Sequence, residues 1–337
     1  MPTTLVTGAT GYIGSHVVLA LLEAGHEVVA VDDLSNSSPE SLRRVSQLTG
    51  REAAFHEVSV LDRVGLTKVF ASHEIDTVVH LAGLKAVGDS VADPLSYYEV
   101  NLGGSMNLVR VMAEYGVFRL VFSSSATVYG EGISPFAETD GLGAVNPYGR
   151  TKEIQEYLFG DVAASGSQWR IALLRYFNPV GAHVSGRIGE DPVGKPNNLV
   201  PFVMQTAAGR HEQVTIHGDD YATIDGTGVR DYIHVVDLAA GHLAALGALD
   251  THVGCRAWNL GSGVGSSVKE VMAAAERAVG QPIPHQVGPR RSGDVAEAVA
   301  DVSRANDELA WTTQRTLDDM VTDHWRWQQS NPQGYTD

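Results

Sequence analysis

The sequence predicts an α/β fold: a doubly wound parallel sheet, followed by a smaller α/β C-terminal domain. Three observations predict it. A β-branched apolar run, Thr4-Leu5-Val6-Thr7, enters the glycine turn Gly8-Ala9-Thr10-Gly11-Tyr12-Ile13-Gly14, and an apolar helical stretch over 15–24 follows, closed by Gly25. Strand-like and helical stretches then alternate through the first half of the chain. Such alternation argues a parallel sheet with helices on its faces. From Pro179 the pattern changes: glycines and prolines crowd 181–196, and shorter elements come after them. A stretch of that kind reads as a long functional loop.

Glycines in the first turn let the backbone approach a pyrophosphate. The helix behind them offers free N–H groups and the positive end of its dipole. Strand, glycine turn and helix in this order form the dinucleotide-binding arrangement, here with Gly8, Gly11 and Gly14 spaced G-x-x-G-x-x-G. The second strand, over 27–31, ends in Asp32-Asp33. A carboxylate there takes both ribose hydroxyls of an adenosine and repels a 2′-phosphate. No arginine follows until Arg43 and Arg44, so NAD is the expected cofactor rather than NADP.

Further strands are expected over 54–58, 77–81, 120–123 and 170–174, and helices over 63–72, 101–115 and 148–164. Beyond the loop, helices are expected over 199–209, 236–249 and 268–279, with strands over 214–217 and 256–259. The chain divides into a dinucleotide-binding domain over 1–180 and a mainly substrate-binding domain over 181–337.

Composition narrows the partners. Of the 337 residues, 43% are hydrophobic, a soluble globular balance. A formal net charge of -16 argues against nucleic acid or an anionic membrane, both of which need basic surface. Cys255 is the only cysteine, so no intrachain disulfide forms. No basic segment precedes an apolar run at the N-terminus, and no apolar segment is long enough to span a bilayer. The expected compartment is the cytoplasm. The 13 histidines show no metal-ligand spacing, so no metal is expected.

The strand at 120–123 runs into Ser123-Ser124-Ser125. That places hydroxyls at the carboxyl end of a parallel sheet, where open α/β sheets bind ligands. Pro147 then opens Tyr148-Gly149-Arg150-Thr151-Lys152, at a position where its missing N–H costs nothing. In a first helical turn Tyr148 and Lys152 share one face. An ammonium beside a phenol favours the phenolate and lowers the tyrosine pKa, making an acid–base pair. Alone, Tyr-x-x-x-Lys is a common surface pattern. Beside a dinucleotide turn and a serine-tipped strand it becomes a Ser125–Tyr148–Lys152 set.

With these motifs the chain resembles the extended short-chain dehydrogenase/reductase family, which has a Rossmann-like first domain. The likeness is carried by Thr7–Gly8–Ala9–Thr10–Gly11–Tyr12–Ile13–Gly14, Leu81-Ala82-Gly83-Leu84-Lys85, Ser123-Ser124-Ser125-Ala126-Thr127-Val128-Tyr129 and Tyr176-Phe177-Asn178-Pro179-Val180-Gly181. Asn197-Asn198-Leu199, the stretch Asp225-Gly226-Thr227-Gly228-Val229-Arg230-Asp231-Tyr232-Ile233-His234 and the closing Asn331-Pro332-Gln333-Gly334-Tyr335 narrow it to the branch that inverts UDP-hexoses at C4. The resemblance runs nearly end to end. It implies interconversion of UDP-glucose and UDP-galactose by C4 oxidation, rotation of a 4-keto intermediate and re-reduction, with NAD retained. Members of this family also cross between their two domains more than once.

Residue by residue, the resemblance implies cofactor contacts from Gly8, Gly11, Tyr12, Ile13, Gly14, Asp32, Asp33, Leu34, Asn36, Ser37, Ser59, Val60, Leu81, Ala82, Gly83, Lys85, Asn101, Ser123, Tyr148, Lys152, Tyr176 and Phe177. It implies substrate contacts from Lys85, Ser125, Tyr148, Asn178, Asn197, Asn198, Leu199, His217, Arg230, Arg291, Asp294 and Ala298. Arginine forks match phosphate oxygens, which suits Arg230 and Arg291 to a diphosphate. Asn178 and Asn198 would donate to the same group, and Asp294 would accept from the uridine ribose. Tyr148 would take the proton of the 4-hydroxyl, Lys152 would support it, and Ser125 would bond the 4-oxygen. Ser59, Val60 and His217 depart from the usual Asp, Ile and Phe. Ala298 stands where a tyrosine restricts relatives to the plain hexoses, which implies that UDP-GlcNAc and UDP-GalNAc are accepted too. A homodimer is implied through helices near 101–115 and 148–164, with Leu102, Met106, Val109, Val111, Ile154, Tyr157 and Leu158 as its apolar face. Two other classes stay open: another NAD-dependent nucleotide-sugar enzyme, a dehydratase or decarboxylase, and a noncatalytic NAD-binding regulatory protein. Ser124 and Ala126 beside Ser125 disfavour a dehydratase, whose Asp-Glu pair would sit there. Tyr148 and Lys152 disfavour the noncatalytic class.

Overall fold

The computed structural model describes residues 1–192, 194, 196, 198–291 and 294–335. The first half alternates as expected. In chain order it runs β1 (Thr3–Thr7), α1 (Tyr12–Glu23), β2 (Glu27–Asp32), α2 (Glu40–Thr49), β3 (Ala54–Glu57), α3 (Arg63–Ser72), β4 (Thr77–His80), α4 (Val87–Ala92), α5 (Pro94–Tyr97), a π-turn (Tyr98–Gly103), α6 (Gly104–Glu114), β5 (Arg119–Ser125), α7 (Pro147–Ala164) and β6 (Arg170–Tyr176). The second half adds β7 (Asn178–Val180), α8 (Leu199–Ala207), β8 (Val214–His217), β9 (Val229–His234), α9 (Val235–Ala248), β10 (Gly254–Leu260), β11 (Gly265–Ser267), α10 (Val268–Val279), β12 (His285–Gly288), β13 (Glu297–Ala298), α11 (Ser303–Leu309) and α12 (Leu317–Ser330).

Seven parallel strands make one sheet in the order β3-β2-β1-β4-β5-β6-β10. The order reverses between β1 and β4, and the crevice outside such a switch point is where open α/β sheets bind ligands. β10 is a late strand that returns to the first sheet, pairing Gly254–Leu260 with Arg170–Tyr176, so the chain crosses back after residue 180. One face of the sheet packs on α1 and α9 through Val17, Leu21, Leu238 and Trp258. The other packs on α3, α6 and α7 through Leu66, Leu108, Phe122 and Phe159. Burying each such side chain contributes roughly 1.5–3 kcal/mol.

The helix expected over 101–115 begins earlier. Asp93 caps it by accepting from the Ser96 N–H, and Pro94 sits in its first turn. It then loosens into the π-turn that carries Asn101. π-turns inside helices mark functional sites. The face expected for a partner is also narrower: Val109 and Val111 are buried in the core, because they fall on the sheet side of α6. Leu102 and Leu158 are half-buried. Met106, Ile154 and Tyr157 face outward at 39%, 39% and 57% exposure.

A smaller unit gathers around β9, which pairs with β7, β11 and β13. β8 and β12 form a separate parallel pair. Val200, Met204, Ile216, Val271, Met272 and Val321 make its core under α8, α10 and α12. α12 starts with a reciprocal cap between Thr316 and Asp319. Among the described residues, no helix is long and apolar enough to cross a membrane.

Candidate active site

The glycine turn is shaped by close approach. Gly8 has φ +69°, and a Cβ there would lie 2.7 Å from the Ala82 nitrogen; a Cβ on Gly14 would lie 2.0 Å from the Gly8 carbonyl. Gly11 is different. A Cβ there meets only the Gly8 carbonyl, at 3.4 Å, so its backbone faces open space. Gly11 also caps α1 with no side chain, leaving the first N–H groups free. This cradle fits a dinucleotide pyrophosphate. Tyr12 closes one side of it, donating to the Gly181 carbonyl at 2.7 Å, while Ile13 is half-buried.

Asp32 ends β2 beside this turn. Its carboxylate accepts from the Thr10 N–H at 3.0 Å, the Leu34 N–H at 3.0 Å and the Ser37 hydroxyl at 3.0 Å. Leu34 takes φ 58°, the left-handed region. That outlier turns the Leu34 N–H back onto Asp32. Burial pushes the Asp33 carboxyl up, but hydrogen bonds from Ser35 and Ser59 outweigh it and hold the group low. Ser59 thus meets Asp33, and Val60 is buried under Gly104. Asn36 is exposed. Arg43 and Arg44 are tied to Glu40, not to Asp32.

The loop after β4 is held from two sides. The Thr7 hydroxyl accepts from the Leu81 N–H at 3.2 Å and the Ala82 N–H at 3.3 Å. Asn101 accepts from the Leu84 N–H at 2.8 Å and donates to the Leu84 carbonyl at 3.1 Å and the Thr151 hydroxyl at 2.9 Å. Its amide therefore positions the loop. A Cβ on Gly83 would come within 2.9 Å of that same amide oxygen. Behind the loop, His80 lies 2.7 Å from the Thr7 hydroxyl and 2.9 Å from the Ser105 hydroxyl, which accepts from Gln155 at 2.7 Å. Burial depresses His80 to about 3, so it is neutral.

Three consecutive serines at the end of β5 face three residues on one side of α7, and two of them hold it. The Ser123 carbonyl accepts from Lys152 Nζ at 2.7 Å. The Ser124 hydroxyl donates to Glu156. The Ser125 hydroxyl lies near enough to the Tyr148 phenol to bear on its pKa. Tyr148, Lys152 and Glu156 are spaced by four, one stripe of the helix. Asn146 caps that helix, accepting from the Gly149 N–H at 2.8 Å, and Pro147 opens it.

The phenol differs from expectation. Burial raises the Tyr148 pKa, and the Ser125 hydrogen bond offsets part of the rise. Burial lowers the Lys152 pKa as well, to about 7, with the Glu156 charge raising it in part. Tyr176 stands beside them. Its hydroxyl bonds His242, and burial raises it strongly, with Ser123 offsetting part of the rise. Phe177 packs with Val128, Tyr129 and Phe136 just beneath.

At the substrate end, register gathers the residues. β9 pairs Tyr232 with Asn178 of β7 and Arg230 with Ala298 of β13. Arg230 lies 3.5 Å from Asp294. The Asp294 N–H donates to the carbonyl of Arg291, whose side chain is exposed. His217, at the end of β8, lies 3.3 Å from the Pro289 carbonyl. Asn198 caps α8 and Leu199 is its first residue. Asn197 lies outside the described residues. Lys85 reaches to Glu190, 3.3 Å away. Among the described residues, no group of His, Cys, Asp and Glu is placed to hold a metal ion.

Sequence reasoning missed Glu156, Arg175, His80 and Glu190. Arg175 forks onto Glu156, with Nε–Oε1 at 3.0 Å and Nη2–Oε2 at 2.6 Å, and donates to the Tyr129 hydroxyl at 2.9 Å. The available signal for Glu156 was its spacing, one more helical step beyond Tyr148 and Lys152.

Residues 4–261 match the model of the NAD dependent epimerase/dehydratase family. A UDP-glucose 4-epimerase of Bacillus subtilis is 53% identical over 332 residues, covering 98% of each chain. The mouse (Mus musculus) UDP-glucose 4-epimerase is also 53% identical, over 99% of each chain. A solved UDP-glucose 4-epimerase from Bifidobacterium longum, in complex with NAD+ and UDP, superposes with a TM-score of 0.96 at 49% identity, covering 99% of this chain and 100% of that one.

Proposed function

The chain belongs to the NAD dependent epimerase/dehydratase family, and we propose that it interconverts UDP-glucose and UDP-galactose with NAD as its cofactor. The single observation that carries the catalytic reading is the hold of Ser123 and Ser124 on α7, which sets Tyr148 beside Ser125 at the carboxyl edge of the sheet. Bound NAD supplies the hydride acceptor, and then donor, for C4 of the hexose. Tyr148 takes the proton of the 4-hydroxyl and returns it after the hexose has turned over. Ser125 bonds the same oxygen and keeps it in line. Lys152, fixed to the Ser123 carbonyl, places its charge one turn from the phenol. Net redox is zero, so the cofactor stays bound through turnover.

Arg230, Asp294, Asn178 and Ala298 sit together on and beside β9, and this supports reading them as the UDP-sugar end. Arg291, Asn197, Asn198, Leu199 and His217 belong to the same proposal. The small Ala298 extends the reading to UDP-GlcNAc and UDP-GalNAc. Met106, Ile154 and Tyr157 on the outer faces of α6 and α7 support a homodimer. The domain division at 180, with β10 crossing back, belongs to the proposal. So does the cytoplasm, on the single Cys255. The test is direct: purified protein carries NAD and interconverts UDP-glucose and UDP-galactose without added oxidant. Protein that binds NAD but shifts neither sugar would refute the reading.

A further inference from the structure

Lys85 and Asn198 come from opposite halves of the chain, and both end on one carboxylate oxygen. Lys85 Nζ lies 3.3 Å from Glu190 Oε1, and Asn198 Nδ2 lies 3.5 Å from it. Glu190 is only 6% exposed, and its Oε2 is buried without a hydrogen-bond partner among the described residues. A buried carboxylate with one idle oxygen destabilises a fold unless something holds it there for a purpose.

Its seat is rigid. Trp327 Nε1 donates to the Glu190 carbonyl at 3.1 Å. The Gly189 N–H donates to the Tyr335 hydroxyl at 3.1 Å, which in turn bonds the Gly189 carbonyl at 3.2 Å. A Cβ on Gly189 would fall 2.5 Å from the Trp327 indole, so only glycine lets the chain pass this close to it. The charge of Glu190 is felt at Tyr12, the first residue of α1. The carboxylate therefore stands between the Tyr12 side chain and the head of α8.

We propose that Glu190 is a positioning residue for a nucleotide diphosphate: it holds Lys85 and Asn198 as one pair of donors aimed at the same anionic group. The proposal rests on the UDP-hexose reading above. The Lys85 side chain is otherwise half in solvent, and lysine is a flexible point charge. Fixing it before the ligand arrives removes rotamer freedom that binding would have to remove. Two diphosphates are available, that of NAD and that of the UDP-sugar, and the experiment separates them.

Full-length Glu190→Ala, Lys85→Ala and the double variant are compared with wild type. Isothermal titration with UDP reads one source, and NAD retained after gel filtration reads the other. Glu190→Ala is expected to weaken one of these by about tenfold, the size of a charge-assisted hydrogen bond. The double variant should bind no worse than the weaker single variant, because one residue acts through the other. Glu190→Gln keeps an acceptor for both donors and should recover part of the loss. Losses that add, or UDP and NAD binding both unchanged, would overturn the proposal. If Glu190→Ala does not fold, Glu190→Gln with Asn198→Ala carries the same cycle. Wild type that binds UDP and NAD tightly but does not epimerise refutes the catalytic reading and leaves this cycle readable.

Discussion

Lys152 Nζ donates to the carbonyl oxygen of Ser123 at 2.7 Å, and in the chain itself that is where its ammonium goes. The bond ties α7 to the strand that carries Ser125. Burial holds the lysine down to about 7, so near neutral pH its charge is only partly present. In the proposed mechanism Lys152 supplies its charge from that fixed position, and Tyr148 carries the proton.

Tyr148→Phe should therefore cut turnover by roughly 10²–10⁴ while NAD stays bound, since only the proton acceptor is lost. Steady-state kinetics and the NAD content of the purified variant check both halves. Near-normal turnover would remove Tyr148 from the chemistry.

Glu156→Gln should hurt in two separable ways. Glu156 is buried and forked by the buried Arg175. Removing one partner of such a pair typically costs about 3–5 kcal/mol, because the other charge is left buried. Glu156 also raises Lys152. Without it the lysine sheds its proton at lower pH, so the activity loss should grow as pH rises. Glu156→Gln/Arg175→Met should regain stability, by chemical denaturation, without regaining activity at high pH. Recovery of both would leave Glu156 a purely structural residue.

The dinucleotide turn and the parallel sheet were legible because both rest on local signals. Gly8, Gly11 and Gly14 are read from spacing, and alternating strands and helices from periodicity. The strand at 254–260 was legible as a strand but not as the sheet's far edge, since its partner, Arg170–Tyr176, lies about eighty residues away in sequence and pairing at that range leaves no local mark. The π-turn holding Asn101 had a cap signal, Asp93-Pro94, but a loosened turn has no pattern of its own. Val109 and Val111 looked like partners of Met106, yet the helix turns them toward the sheet. Glu190 was invisible for a plainer reason. It is one acidic residue in a glycine-rich loop, and only the fold brings Lys85 and Asn198 to it.

Acid should destabilise the protein earlier than its carboxylates alone would. Burial depresses His16 and His80 to about 3, and His242 and His324 to about 4. In the unfolded chain each would take a proton near about 6.5. Between these values the unfolded state binds more protons, so stability is full above about pH 6.5 and falls as pH drops toward 4. The thermal midpoint should be level above neutrality and decline from about pH 6.5 downward. A level midpoint down to about pH 5 would mean these histidines are not buried neutral.

Assembly should depend on the outward side of the helix whose inward side is catalytic. Ile154→Asp/Tyr157→Asp should convert a dimer to a monomer at micromolar concentration, read by sedimentation. A charge in the centre of a buried apolar interface is strongly unfavourable. Wild type that sediments as a monomer refutes the dimer outright.

Substrate range should turn on Ala298. Its strand pairs it in register with Arg230, the proposed diphosphate arginine, and its methyl packs at the edge of the cluster of Tyr129, Phe136 and Phe177. In the proposed reading the 4-keto hexose sweeps its C2 substituent through this region as it turns over. An acetamide needs volume that a tyrosine here would fill, whereas a hydroxyl does not. Wild type should thus interconvert UDP-GlcNAc and UDP-GalNAc as well as the plain hexoses. Bulk in an apolar pocket discriminates by only ~1–3 kcal/mol per small group, so some preference for the plain hexoses survives. Ala298→Tyr should lose the N-acetyl activity by about 10–200-fold, the rate span of that energy, and leave UDP-glucose turnover within a small factor. Both sugar pairs are assayed in both proteins. No N-acetyl activity in wild type, or an equal loss on both pairs in Ala298→Tyr, would show that another side chain controls the space around C2.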